Sequence, residues 1–205
     1  MGSKRFDELT ARIDELRRHF IPKQFEPTGT YDDSVYEYAR AFRVLVHAEF
    51  ESFIEDRVIE VIDLAVTRWN SSRTVSPVLV AALAYRESAF SFPDSLADAS
   101  QRRSKYPELS ARIESTRSEL HKYARKQNHG IKERNLLKML LPVGVLEADL
   151  DVVWLGNTNT WASKRGEVAH NSAKVQVRLD PQKEDETVKE ILKGFGDLDE
   201  LLSRK

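Results

Sequence analysis

The chain has 205 residues, of which 40% are hydrophobic and 32% are charged, so it can bury a core of ordinary size. Acidic and basic residues nearly cancel to a formal charge of −1, which excludes a globally basic nucleic-acid-binding protein and leaves that role to local patches. The absence of cysteine excludes disulfides, thiolate nucleophiles and cysteine-based zinc sites.

Membrane segments are not expected in this sequence. No apolar run approaches the roughly 20 residues that span a bilayer. The N-terminal segment is charged throughout, unlike the core of a signal peptide. We therefore expect a cytoplasmic protein with no membrane partner, a location that the lack of cysteine also fits.

The first 30 residues predict one helix followed by a connector. Apolar side chains three or four positions apart form a single narrow stripe, made of Phe6, Leu9, Ile13, Leu16 and Phe20. The helix should stop before Pro22, because a segment with two prolines and a glycine begins there. We divide the chain into an N-terminal helix and connector, residues 1–30, and a helical bundle, residues 31–205.

A long helix is predicted over residues 34–70, which contain neither proline nor glycine and keep apolar residues at helical spacing. Its apolar stripe drifts around the axis, so the two halves of the helix should bury different faces. Glu49 and Arg57 interrupt this stripe. Either both lie at its edge with their charged ends in water, or one of them faces a polar site or a dimer interface.

Two shorter helices are predicted next. Ser76 and Pro77 fit an N-cap and a first-turn proline for a helix over residues 78–87, and a polar connector over residues 91–105 follows it. The second helix should begin near Pro107 with four residues facing inward, namely Leu109, Ile113, Leu120 and Tyr123.

Three segments after a break at Gly130 have clear periodicity: helices over residues 131–141 and 146–170, and a short extended stretch over residues 174–179. Asp180 and Pro181 can cap a last helix, which Gly194 and Gly196 should weaken by about 1 kcal/mol each. The sequence thus predicts an all-α fold, an antiparallel helical bundle with an extra, peripheral N-terminal helix.

Two pairings of glutamate with histidine raise the question of a metal site. Glu167 and His170 have the i, i+3 spacing of di-iron bundles, but that chemistry needs a second such pair, which the chain lacks. His47 and Glu51 lie one turn apart on the long helix and could share a metal, yet no third ligand is identifiable. We therefore expect no metal and no cofactor, and we expect these residues otherwise to pack or to face solvent.

Arg165 and His170 lie in RGEVAH, near the end of a predicted helix. Arginine can hold a phosphate through two hydrogen bonds, and histidine exchanges a proton near neutral pH. Five helical residues separate the two by about 140° and about 7.5 Å, so they converge only if the helix ends close by. The pair suits metal-free RNA cleavage by attack of the 2′-hydroxyl on the neighbouring phosphate. A histidine that caps a helix end is the simpler alternative.

Three segments in order resemble the RiboL-PSP-HEPN branch of the HEPN superfamily. They are RVLVHAEFESFIEDRV at residues 43–58, HGIKERNLLKMLLPVGV at residues 129–145 and RGEVAHNS at residues 165–172. The resemblance covers residues 33–203 and implies a core of four or five helices, usually in a homodimer. Arg165 and His170 match the R-x(4–6)-H motif of that superfamily.

The resemblance implies a composite cleft in which the Arg/His pairs of two protomers face each other. Arg165 would hold the scissile phosphate and His170 would act as general acid or base, without a metal. Active members often carry a polar residue after the motif arginine, where this chain has Gly166. Either Glu167, Asn171 or Ser172 supplies the missing contact, or the nuclease activity is weak. Glu49, one of the charges within the stripe of the long helix, is a further supporting candidate.

RNA binding is predicted for two groups of basic residues. The first group lies in residues 121–135 and the second beside the motif, and together they are Lys122, Arg125, Lys126, Lys132, Arg134, Lys164 and Lys174. These residues either contact phosphates or form an ordinary solvated surface. Tyr123 either stacks on a base or packs in the core.

The leading prediction is a dimeric, metal-independent endoribonuclease that serves as a toxin, an antiviral effector or an RNA-processing enzyme, with RNA and an antitoxin or other partner protein as its partners. The alternative is a HEPN-like module without catalysis that binds RNA or a partner protein. A third interpretation is a purely structural helical scaffold.

Overall fold

A computed structural model describes residues 2–85, 95, 97, 108–170 and 178–205, with only the backbone described for residues 166–170. The helices in this part of the chain are α1 (Lys4–Phe20), α2 (Asp33–Ser72), α3 (Pro77–Ala84), α4 (Leu109–Lys122), α5 (Glu133–Leu140), α6 (Val152–His170) and α7 (Pro181–Ser203). A π-helical turn, Tyr123–Gln127, extends α4, and two 3₁₀ turns, Leu141–Val143 and Glu147–Asp149, follow α5. No strand occurs among the described residues, which confirms the predicted all-α fold.

Most helix ends lie where local chemistry predicts them. The Ser76 hydroxyl accepts a hydrogen bond from the Leu79 amide at 3.3 Å at the start of α3. The Asp180 carboxylate accepts one from the Gln182 amide at 3.0 Å at the start of α7. The long helix is confirmed, with bounds two residues or fewer from those predicted. The polar connector and residues 174–177 of the extended stretch lie outside the described residues, except for Ser95 and Ala97.

Two details predicted for α4 and α6 are wrong. The helix predicted over residues 146–170 begins only at Val152, because the Asp151 carboxylate caps it by accepting the amides of Val153 and Trp154 at 2.8 and 3.1 Å. Leu109 was expected to face inward, but it is 49% exposed, since it is the first residue of α4 and lies at the margin of the bundle.

The core is built around α2, which buries side chains along most of its length. Phe195 of α7 stacks on Phe50 with ring centroids 4.6 Å apart, and the edges of Phe53 and Trp154 close this aromatic cluster. The extra N-terminal helix shares the same core rather than lying at its periphery, because the apolar stripe of α1 is buried against it. The division at residue 30 stays a prediction.

Arg57 is one of the two charges that interrupt the apolar stripe of α2, and it is not at the edge of the stripe. It is 4% exposed, and its Nε lies 2.7 Å from a carboxylate oxygen of the buried Asp199 on α7. The same carboxylate accepts hydrogen bonds from the amide and hydroxyl of Ser3 at 2.6 and 2.7 Å. This buried cluster therefore joins the start of α1 to α2 and α7.

The two glycines that were expected to weaken α7 have a packing role. A Cβ on Gly194 would lie 2.1 Å from the Trp154 indole nitrogen, and one on Gly196 would lie 3.0 Å from the Phe6 ring. The Trp154 indole N–H donates to the Ile191 carbonyl of α7 at 3.1 Å. The absence of a side chain at residue 194 thus allows α6 and α7 to approach closely. No helix in the described part of the chain combines the length and apolarity needed to cross a membrane.

Candidate functional site

Arg165 lies in the last turns of α6, and His170 is the final residue of that helix. The Arg165 side chain is partly exposed, but its Nε is buried and has no hydrogen-bond partner. The side chains of Glu167 and His170, and all of Asn171, Ser172 and Lys174, lie outside the described residues. The described half of the motif is therefore an arginine with unused hydrogen-bonding capacity at a helix end.

The positive charge of Arg165 acts on the imidazole of His47 on α2. Its ring is 2% exposed, and its Nδ1 has no hydrogen-bond partner. Burial, together with the positive charges of Arg165 and Lys132, lowers the pKa of His47 to about 4. His47 is consequently neutral at pH 7, so its 3.7 Å approach to the Glu51 carboxylate is not an ion pair there.

Glu51, one turn further along α2, also belongs to this environment. Burial raises the pKa of its carboxyl group, as does the neighbouring Glu55, whereas the charges of Arg165 and His129 and a hydrogen bond from the Gly130 amide act against the rise. The positive charge of Arg165 thus acts on both a buried imidazole and a partly buried carboxylate.

A loop after the π-helical turn completes the site. The Asn128 side chain donates to Glu55 at 2.8 Å and accepts from Asn135 at 2.9 Å, which ties the loop to both α2 and α5. Gly130 has φ 139°, and a Cβ there would lie 3.3 Å from the His47 ring. Glycine is therefore required at residue 130 both for its backbone conformation and for its contact with His47.

The position of α6 beside α2 depends on Trp161. Its ring stacks on His47 with centroids 5.8 Å apart, and its indole N–H donates to Glu184 of α7 at 2.8 Å. Glu184 is itself buried and pairs with Arg43 of α2, with an Nε–Oε1 distance of 2.9 Å. This network holds α6 against both α2 and α7 at Trp161, one turn before Arg165.

The predicted supporting residue Glu49 is not brought to this site. Its carboxylate pairs with Arg12 of α1 at 3.2 Å. Residues 47 and 49 are about 200° apart around a helix, so Glu49 faces α1 while His47 faces α6. Glu49 lies at the edge of the apolar stripe, where one interpretation placed both charges, so that interpretation is right for Glu49 and wrong for Arg57.

The predicted RNA-binding side chains that the structure describes are all exposed. Five of them have no ion pair with any described residue, and these are Lys122, Lys126, Lys132, Arg134 and Lys164. Arg125 differs, because it pairs with Asp56 at 2.6 Å. Lys132 is brought next to the motif environment, since its charge acts on His47. Tyr123 is partly buried against the core, and its ring lies under the Lys138 ammonium group at 5.6 Å.

The sequence suggests His47 and Glu51 as possible metal ligands and otherwise as packing or solvent-facing residues, not as part of the surroundings of the motif. The described residues contain no group of three or more histidine, cysteine, aspartate or glutamate side chains that could hold a metal. The signal that could have identified the pair as site residues was a histidine at a buried position of a long helix, within one of the three family-like segments.

Comparison with known proteins gives one match. The family model described as RiboL-PSP-HEPN matches residues 7–204, which extends the resemblance to most of α1. No curated protein and no solved structure was found to be similar. With the family model covering nearly the whole chain, the protein belongs to the RiboL-PSP-HEPN family of the HEPN superfamily.

Proposed function

We propose that the protein is a metal-independent endoribonuclease that uses Arg165 and His170 in a cleft formed by two copies of the chain. Membership of a superfamily that often has ribonuclease activity supports this proposal at the level of function. A role as a toxin, an antiviral effector or an RNA-processing enzyme is consistent with such an activity.

The observation that carries the proposal is the state of Arg165. It is partly exposed at the end of α6, and it makes no ion pair with any described residue, although Glu51 lies within its field. Its Nε is buried without a partner. A partly exposed guanidinium without an acidic partner among the described residues is suited to a phosphate, which an arginine can bind through two parallel hydrogen bonds.

Proton transfer is assigned to His170 rather than to His47. His47 is buried, so it does not reach an RNA substrate, and its lowered pKa means that it is not an imidazolium acid at pH 7. In the proposed reaction the 2′-oxygen bonds to phosphorus while the bond from phosphorus to the 5′-oxygen breaks. A general base takes the 2′-hydroxyl proton, and a general acid protonates the leaving 5′-oxygen. The products are a 2′,3′-cyclic phosphate and a 5′-hydroxyl.

The exposed basic side chains support binding of an RNA backbone. Lys122, Lys126 and Arg134 have no acidic partner among the described residues, and Lys164 directly precedes Arg165. Lys132 connects the two groups through its position near His47. Binding through such contacts weakens steeply as salt rises, because each neutralised phosphate releases condensed counterions.

The test is cleavage of a labelled RNA mixture in excess EDTA. We expect cleavage by the wild-type protein and its loss in Arg165→Ala and in His170→Ala, with the oligomeric state and melting temperature retained. Lys164→Ala is the matched control, since it removes a neighbouring exposed cation and should weaken binding without abolishing cleavage. Cleavage that survives both motif substitutions would refute the assignment.

The composite cleft is tested by mixing subunits. Heterodimers of Arg165→Ala chains with His170→Ala chains regain activity if one arginine and one histidine suffice for one reaction, whichever chains supply them. They stay inactive if both pairs are needed at once. An active wild-type monomer, isolated at high dilution and verified by its mass, would contradict the shared site.

A non-catalytic module that binds RNA or a partner protein is the second candidate. The observation that favours it is Gly166, which stands directly after the motif arginine and offers no polar side chain. This candidate predicts salt-dependent RNA binding without cleavage of any RNA tested, and equal RNA integrity with wild-type protein and His170→Ala.

A further inference from the structure

We propose that the groove between the start of α6 and the second half of α7 binds a basic amphipathic helix of another protein. The groove has a volume of about 340 Å³ and lies at the end of α6 remote from Arg165. Its floor is apolar and includes Trp154, Leu150 and Leu198, which are themselves part of the core. Gly194 also lines the groove, and its missing side chain lets the Trp154 indole pack directly against α7 to form this floor.

The rim of the groove is acidic. The rim carries one ammonium group, that of Lys193, and four carboxylates, those of Asp149, Asp151, Glu190 and Asp197. Asp149 and Asp151 also accept backbone hydrogen bonds at the turns before α6. Glu190 and Asp197 are exposed and have no ion pair within the described residues. This local charge repels an RNA backbone and attracts a cationic partner.

Exposed apolar side chains continue the groove at its edge. Val153, which lines it, is 71% exposed, and the adjacent Val152 is 78% exposed. Leu146, in the turn before α6, is also largely exposed. An apolar floor with exposed apolar side chains at one edge is the kind of surface that receives the apolar face of a helix.

The charge also decides between a second copy of this chain and a different protein. A twofold contact through this groove would oppose one net negative rim to an identical one, and such like-charge contacts are unfavourable. A head-to-tail contact with the basic surface near Lys126 would give rings or open chains of subunits rather than the twofold dimer of the proposed function. A partner of different sequence, with leucine-like residues on one face and Lys or Arg beside them, meets both the floor and the rim.

The groove leads towards the motif end of α6. A second cavity of about 280 Å³ shares Asn157 and Glu190 with it and extends to Thr160 and Lys164. Val153 and Arg165 are 12 residues apart, or about 18 Å along the helix. A helix of about four turns in the groove therefore ends beside Lys164, the residue before Arg165, where it would obstruct RNA. This regulatory consequence rests on the proposed function, whereas the binding itself does not.

The test uses full-length protein and a fluorescent 18-residue helical peptide with leucine on one face and lysine on the other. We expect micromolar binding by fluorescence anisotropy, and at least tenfold weaker binding by the double variant Glu190→Lys, Asp197→Lys. The matched control is Glu8→Lys, Glu26→Lys, which changes the charge equally at exposed sites in α1 and the connector and should leave affinity within twofold. A peptide with glutamate in place of lysine should not bind.

Equal binding of the lysine peptide by the groove variant and the control variant would overturn the proposal, as would no binding by the wild-type protein. Loss of the dimer in the groove variant would also overturn it, because the occupant would then be a second copy. Peptide affinity needs no enzymatic activity, so its outcome is separate from that of the ribonuclease test. Where cleavage is observed, the bound peptide should reduce it at least tenfold.

Discussion

Protonation of His47 should set part of the acid sensitivity of the fold. The ring is buried and stacked on Trp161. Burial and the nearby positive charges of Arg165 and Lys132 lower its pKa from 6.5 to about 4. In the unfolded chain the imidazole binds a proton near its ordinary pKa, but in the folded chain it does not. The stability that the neutral ring contributes is complete above pH 6.5 and is lost as pH falls towards 4.

The size of this effect follows from the difference between the two pKa values. At about 1.4 kcal/mol for each pH unit, the folded protein should lose roughly 3 kcal/mol of unfolding free energy between pH 6.5 and pH 4 through this one residue. His47→Gln removes the titrating ring, so its unfolding free energy should fall by that much less over the same range. Other acidic groups affect both proteins equally, so the difference between the two curves is the quantity to compare.

Urea unfolding monitored by tryptophan fluorescence, at half-unit steps from pH 7.5 to pH 4, measures this difference. Val46→Ala is the matched control, because it disturbs the adjacent buried position without a titrating group and should lower the whole curve by a constant amount. Parallel curves for the wild-type protein and His47→Gln would refute the reasoning. So would an NMR titration that places the His47 pKa near 6.5 in the folded protein.

Four further substitutions test the packing and electrostatics. Gly194→Ala should destabilise the fold by about 2 kcal/mol or more, because its Cβ would overlap Trp154. Gly156→Ala should stabilise the fold by up to about 1 kcal/mol, because its Cβ would enter open space. Thermal unfolding of both variants checks these opposite signs. Glu51→Gln should raise the unfolding free energy at pH 7 and lose this advantage as pH falls, since burial raises the pKa of the carboxyl group and disfavours its charged form; urea unfolding at both pH values decides it. Glu184→Gln should lower the unfolding free energy, measured with urea, by about 3 kcal/mol or more, because it leaves the buried Arg43 without a counter-charge. A loss below about 1 kcal/mol would show that the network around Glu184 contributes little to stability.

The features of the fold that could be predicted from sequence are those set by neighbouring residues. The long α2 follows from uninterrupted helical periodicity, and the starts of α3 and α7 follow from Ser-Pro and Asp-Pro pairs. Features that depend on distant partners could not be predicted. The sequence leaves the position of Arg57 open because its buried partner Asp199 lies on another helix. It indicates only a weak point at Gly194 because the approach of Trp154 is a tertiary contact.

The same distinction holds for the candidate site. Arg165 and His170 could be named because their spacing is local and matches a family motif. The surroundings of Arg165 could not be predicted, because His47 and Glu51 precede it by more than 100 residues. Only the packing of α6 on α2 brings these residues near Arg165. Glu49 is a candidate because it is an unexpected charge in an apolar stripe. It lies about 200° around α2 from His47, however, and therefore faces α1.

The chemical claim at the centre of this account is tested most directly by the end groups of the cleaved RNA. RNA incubated with the wild-type protein in excess EDTA should yield fragments whose masses identify a 2′,3′-cyclic phosphate and a 5′-hydroxyl, and the same fragments should be missing with Arg165→Ala. Fragments that carry a 3′-hydroxyl, or identical fragments from both proteins, would contradict the proposed role of the motif.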